Sequence, residues 1–214
     1  MVGSAGTVPS VSPGTGPTCS PGVELVCSPG ADPVRSPGAE PVRLGPADAA
    51  VVAAQLGRPP RGAIDVAWRC PCGKPGVVLT APQLPDGTPF PTTYYLTCPN
   101  AVKACSTLEG GGLMAAMGQR LATDPVLAER YAQAHQSYLA DRRDVAEQLG
   151  LSVSLIAEVS AGGMPQRVKC LHALVAQALA KGPGVNPFGD EAVAALGEFW
   201  RHPCLPQSNR NEDI

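Results

Sequence analysis

Aromatic residues are scarce. Two Trp, four Tyr and three Phe in 214 residues mean that a core must be built mainly from aliphatic side chains. Charge is sparse too: 16% of the residues are Asp, Glu, Lys or Arg, and 16 basic against 18 acidic groups leave a net charge of −2. That balance offers no basic field to condense on a phosphate backbone, so nucleic acid is not an expected partner. Long apolar runs are missing as well. The most apolar helical stretch, residues 171–180, is about half a membrane span and is interrupted by His172 and Gln177, so no membrane is expected. The first residues carry no Lys or Arg ahead of an apolar run, as a secretory signal requires, and a cytosolic protein is the expectation. There is no Gly-x-Ser-x-Gly elbow and no His-Glu-x-x-His, which removes the commonest hydrolase and zinc-protease signatures.

Glycine and proline are abundant, at 24 each, and unevenly spread. Residues 1–46 contain 17 of them, in part through an octapeptide repeat: Cys19-Ser-Pro-Gly-Val-Glu-Leu-Val26, Cys27-Ser-Pro-Gly-Ala-Asp-Pro-Val34 and Arg35-Ser-Pro-Gly-Ala-Glu-Pro-Val42. Each unit is a turn followed by extended chain without an apolar face, so disorder is expected there. Cys19 and Cys27 belong to the repeat and stay outside the site argument. One globular domain is expected over residues 47–202, with a disordered tail over 203–214.

Within that domain the pattern predicts an α+β fold in which a small antiparallel sheet of about three strands is covered by helices, the C-terminal half being helix-rich. Asp48 is expected to cap a helix ending at Gly57. Residues 63–69, 77–80 and 92–97 read as strands, short, β-branched or aromatic and bounded by Gly and Pro. Asn100 is expected to cap a helix to Glu109, and residues 113–122 to form the next. Thr123-Asp124-Pro125 is a start signal for a helix of about 25 residues ending at Gly150. Its stripe of Tyr131, His135, Tyr138 and Arg142 reads as a half-buried flank. Residues 151–159 read as extended, 165–181 as a long helix, and 190–200 as a last short one.

Several stretches carry a family resemblance: Gln55-Leu-Gly-Arg-Pro-Pro-Arg61, Arg69-Cys-Pro-Cys-Gly73, Leu84-Pro-Asp-Gly-Thr-Pro-Phe-Pro-Thr92, Tyr94-Tyr-Leu-Thr-Cys-Pro99, Ser160-Ala-Gly-Gly-Met-Pro-Gln-Arg-Val-Lys-Cys-Leu-His172 and Gly182-Pro-Gly-Val-Asn-Pro-Phe-Gly-Asp190. Together they resemble the uncharacterised bacterial family known as domain of unknown function 501, familiar from actinobacteria, over roughly residues 47–200. The resemblance brings no activity, cofactor or catalytic residue. Genes of that family often lie near a septum-formation initiator and an exopolyphosphatase, which implies at most a protein partner linked to cell division or polyphosphate metabolism.

Six cysteines remain for chemistry: 70, 72, 98, 105, 170 and 204. In a reducing compartment they are packing residues, metal ligands or reactive thiols, and the residues alone leave all three open. Cys70 and Cys72 end one strand and Cys98 another, as in domains that gather thiolates on a tetrahedral zinc. The candidate metal set is Cys70, Cys72, Cys98 and Cys170, with Cys105 and His172 as alternates; zinc or an iron–sulfur cluster is what it would hold. Cys170 and His172 stand two apart in the expected helix and do not face each other there, so only one easily joins. His202 and Cys204 read as surface residues.

Gly162 and Gly163 precede the same expected helix, with Arg167 and Lys169 in its first turns. That makeup suits a phosphate or carboxylate, although the P-loop spacing is absent; a plain tight turn is the competing reading. His172, Asp190 and Lys169 are the residues that catalysis would use if the last two helices fold back on each other. The leading functional expectation is a non-catalytic accessory or interaction module, steadied by packed cysteines or a metal. The alternatives are an enzyme or binding protein for a phosphorylated small molecule, acting through the Gly162-Gly163 turn, and a thiol redox sensor.

Overall fold

The structure, a computed structural model, describes residues 44–205. The octapeptide repeat with Cys19 and Cys27 and the residues beyond 205 lie outside them. Among the described residues the fold is α+β: six helices and a three-stranded antiparallel sheet, about half of those residues being helical. Among the described residues no helix is long and apolar enough to cross a membrane.

Helix α1 (Pro46–Leu56) starts on a proline and ends at Gly57, whose φ of 68° closes it in the left-handed conformation that glycine takes without penalty. Asp48 is not its cap. Its carboxylate lies in the first turn and pairs with Arg69 at 2.6 Å, which holds it below the usual carboxylate range. Strands β1 (Ala63–Arg69), β2 (Pro75–Thr80) and β3 (Tyr94–Leu96) follow in that order across the sheet. Val66 pairs with Val78, Arg69 with Pro75, and Val77 with Leu96. The central strand β2 is the most buried of the three.

Helix α2 (Pro99–Gly110) begins directly after β3 and α3 (Leu113–Thr123) follows. Helix α4 (Pro125–Leu149) has the expected 25 residues; the Asp124 side chain accepts from the amides of Val126 and Leu127, and Gly150 closes the helix. Its stripe is deeper than expected. Tyr131 and Tyr138 are fully buried, and Arg142 is 2% exposed, because the chain that follows α4 folds back over it. That segment, read from sequence as extended, forms a 3-10 turn over Ser154–Ile156 instead of a strand. The carbonyls of Ile156 and Val159 turn inward to the Arg142 guanidinium rather than to a neighbouring strand.

Helix α5 (Leu171–Lys181) starts six residues later than the apolar pattern suggested. Gly162 and Gly163 both have positive φ, 71° and 91°, and their carbonyls take the amides of Lys169 and Arg167. The chain is thereby closed into a loop where a helix was expected. Helix α5 lies centrally, against the sheet, α2 and α6, and accordingly buries Leu174, Val175, Ala176, Gln177 and Ala178 on several sides.

Helix α6 (Pro187–Ala195) is capped by Asn186, whose side chain accepts from the Gly189 amide at 2.8 Å. The buried Asn186 Nδ2 donates to Gln177 Oε1 at 2.9 Å, and Gln177 Nε2 to the Ala134 carbonyl at 2.9 Å. One polar chain thus joins α4, α5 and α6. Gly189 is where α5 and α6 touch: a Cβ there would lie 2.5 Å from the Leu174 carbonyl oxygen and 2.9 Å from Ala178. Gly189→Ala must push the two helices apart, and it is expected to cost about 1–3 kcal/mol in urea denaturation.

Candidate functional site

The sheet brings the first cysteines together. Strands β1 and β3 flank β2 and, both being antiparallel to it, run in the same direction. Cys70, just past β1, and Cys98, just past β3, therefore emerge at one end of the sheet, beside the start of β2. The Cys98 amide donates to the Gly76 carbonyl at 3.2 Å, and Cys70 closes the β1–β2 turn with Lys74 and Gly73. Cys72 sits in that turn.

The fourth sulfur comes from the far end of the chain. Cys204 is 6% exposed, not a surface residue. Asn100, expected as a helix cap, instead donates its side-chain amide to the His202 carbonyl at 2.9 Å, which holds the tail against the start of α2. Cys204 Sγ lies 3.0 Å from Cys98 Sγ and 3.2 Å from Cys72 Sγ. The sulfurs of Cys70, Cys98 and Cys204 are mutually within 4.8 Å, all three residues being buried. One sulfur that faces two others at nearly equal distance is not half of a disulfide, whose bond is about 2.05 Å. In a tetrahedral zinc thiolate site the sulfurs stand ~3.8 Å apart, so Cys70, Cys98 and Cys204 supply three ligands close to place, and Cys72, which lies outside that mutual group, must turn in to be the fourth. The hydrogen bond to Cys98 and burial push the Cys70 thiol up, and burial leads in pushing Cys204 up to about 12. Both keep their protons at neutral pH until a cation displaces them.

Cys170, expected in this set, stands in a second group. It precedes α5, so it escapes the helical spacing that would turn it away from His172, and its Sγ is 3.8 Å from His172 Nδ1. Glu109, at the end of α2, completes the group. Its Oε1 lies 3.1 Å from His172 Nδ1 and accepts the Leu171 amide at 2.7 Å. Cys105, one turn earlier on α2, is fully buried, and its thiol is pushed up to about 12, first by burial.

The glycine turn sits elsewhere. Gly163, Arg167 and Lys169 line a cleft of about 400 Å³ together with Glu158, Ser160 and Gln166. No helix start points into it, because α5 begins at Leu171, whose amide Glu109 already occupies. A Cβ on Gly162 would meet Leu174 at 2.7 Å, and one on Gly163 the Arg167 carbonyl oxygen at 2.7 Å, so packing and turn geometry both require glycine at these positions. Asp190 accepts the Gly184 amide at 2.8 Å, beyond the opposite end of α5 from His172. The nine steps from His172 to Lys181 span ~14 Å of helix, and the Asp190 carboxylate is held at the Gly184 end rather than at His172.

What the fold and its side chains define is a helix-covered α+β domain with a four-sulfur group at one end of its sheet and a Cys/His/Glu group at the start of its central helix. The chain belongs to the family described as "Protein of unknown function (DUF501)", whose model matches residues 66–194. No curated protein and no solved structure matches it. Cys204 lies beyond the matched stretch. Glu109 and Cys204 are the residues that sequence reasoning missed; a search for any fourth cysteine able to close the set, without regard to its distance along the chain, would have kept Cys204.

Proposed function

We propose that this domain is a non-catalytic accessory module whose C-terminal end is clamped to its sheet by one zinc ion on Cys70, Cys72, Cys98 and Cys204. The observation that carries the reading is the convergence of four sulfurs from three distant parts of the chain, with Cys204 seated between Cys72 and Cys98 at 3.2 and 3.0 Å. Cys70, Cys98 and Cys204, mutually within 4.8 Å, suit a single tetrahedral ion, and with Cys72 as the fourth ligand no position is left open for substrate, which is the mark of a structural site. An iron–sulfur cluster, being wider than one ion, needs its thiolates spread farther apart. The cleft beside Arg167 and Lys169 supports a phosphate-binding reading less well, since Glu158 shares its lining and no complete set of reacting groups surrounds it.

Elemental analysis of protein purified without added metal tests the proposal. One zinc per chain is expected. Cys98→Ser and Cys204→Ser should each lose it, while Cys170→Ser and Cys105→Ser retain it. A metal-free chain, or a metal that leaves with Cys170→Ser and stays with Cys204→Ser, would sink the reading.

A further inference from the structure

We propose that Cys170 is a nucleophilic thiolate, set up by His172 and Glu109 to react with hydrogen peroxide. This centre is separate from the four-sulfur group and shares no residue with it.

The hydrogen bonds of the imidazole carry the argument. Nδ1 of His172 faces Glu109 Oε1 at 3.1 Å, and Nε2 faces the Val102 carbonyl oxygen at 3.2 Å, with Ser106 Oγ at 3.4 Å. A carbonyl and a carboxylate only accept. A neutral imidazole has one N–H and can satisfy one of them; an imidazolium has two and satisfies both. The two acceptors thus favour the doubly protonated ring, which places a positive charge 3.8 Å from the Cys170 sulfur. Cys170 also occupies the position just before α5, where the helix dipole favours an anion. From α2, Glu109 and Cys105 face the sulfur; from α5, His172 does. Cys105 stays a neutral thiol, and Glu109 is engaged by His172 and the Leu171 amide. Consistent with this, the hydrogen bond from His172 leads in holding the Cys170 thiol below its ordinary value, and the same contact leads in raising His172 to about 9.

Access matches reactivity. The side chains of His172 and Glu109 are 27% and 23% exposed, and Cys170 is half-buried, so the group lies at the edge of the core rather than inside it, where a small oxidant has the shortest way in. In the step, a thiolate lone pair attacks one peroxide oxygen, an S–O bond forms and the O–O bond breaks. The departing hydroxide takes the Nδ1 proton of the imidazolium and leaves as water. Sulfur is oxidised by two electrons to the sulfenic acid, and the peroxide is reduced.

The test uses the full chain as purified, treated with hydrogen peroxide and a sulfenic-acid trap, with the labelled residue identified by mass spectrometry. Cys170 is expected to label about tenfold faster at pH 7 than glutathione, and His172→Gln to remove that advantage with the far-ultraviolet circular dichroism unchanged. Alkylation of Cys170 by iodoacetamide should keep a level rate from pH 9 down through pH 7, where an ordinary thiol slows by about tenfold per unit; this profile decides the matter even if the His172 variant fails to fold. Labelling no faster than glutathione, a rate that titrates near the ordinary thiol value, or indifference to His172→Gln would overturn the proposal. So would a metal ion that leaves with Cys170→Ser, since Cys170, His172 and Glu109 would then be its ligands.

Discussion

Stripped of zinc by a chelator, the chain is expected to lose on the order of 5 kcal/mol of stability, which lowers its thermal midpoint by roughly 10–20 °C. Two features set that magnitude. The four sulfurs tie residues that are 132 and 106 positions apart in the chain, so the ion closes long loops whose entropy otherwise opposes the contact. On the other side, the core that holds Cys70, Cys98 and Cys204 is built mostly from apolar side chains of the sheet and of α2 to α6, so the apo chain is expected to loosen rather than unfold, unlike a small zinc finger. The loosening should concentrate in the tail, where Phe199 packs on Trp68 with ring centroids 6.3 Å apart and Asn100 holds the His202 carbonyl. Limited trypsin digestion reads this directly: cleavage after Arg201 is expected early in the metal-free protein and late once zinc is restored. Because Cys70 and Cys204 must give up protons to bind, the ion is held less firmly as pH falls. A midpoint indifferent to the chelator would mean that the sulfurs only pack.

Arg142→Leu is expected to cost about 3–5 kcal/mol by urea denaturation, close to the limit of what one surface-sparing substitution does. The guanidinium is buried among carbonyl oxygens: it donates to those of Pro91, Ile156 and Val159, and its Nε to Thr93 Oγ1 at 3.3 Å, while its face lies 5.4 Å from the Tyr138 ring centre. Leucine fills part of the volume but leaves three carbonyls without a donor, at about 1–3 kcal/mol each. The loop before β3 and the segment after α4 lose their common anchor at once. Arg142→Lys, with one compact cation in place of a planar fork, should fall between the two. A loss under about 1 kcal/mol in the leucine variant would mean that water replaces the guanidinium freely.

The parts of the fold legible from residues are those whose signals are local. Thr123-Asp124-Pro125 and Gly150 mark both ends of α4, and Gly57 the end of α1, because caps act within one turn. The three strands stand out for the same reason, between Gly and Pro. The start of α5 was not legible: Val168 and Leu171 continue the helical period upstream, and nothing in that period reports that Gly162 and Gly163 take the amides of Lys169 and Arg167. Arg142 looked like a flank residue, since its burial depends on a segment with no regular structure folding over it. In the candidate site, Cys70, Cys72 and Cys98 were legible because strand ends set them. Cys204 was not, being fixed by a tail that Phe199 on Trp68 and Asn100 on the His202 carbonyl hold far from its place in sequence. Glu109 gave no signal either, since it acts on Leu171 and His172, 62 and 63 residues away.

That one carboxylate has a double duty. Glu109 receives the first amide of α5 and the imidazole proton with the same oxygen, so seating the central helix against α2 and assembling the ionic environment of Cys170 are a single event. On the reaction proposed for that sulfur, undocking of α5 would remove the imidazolium and the helix start together and leave Cys170 an ordinary thiol, so its rate of modification would report whether the helix is seated.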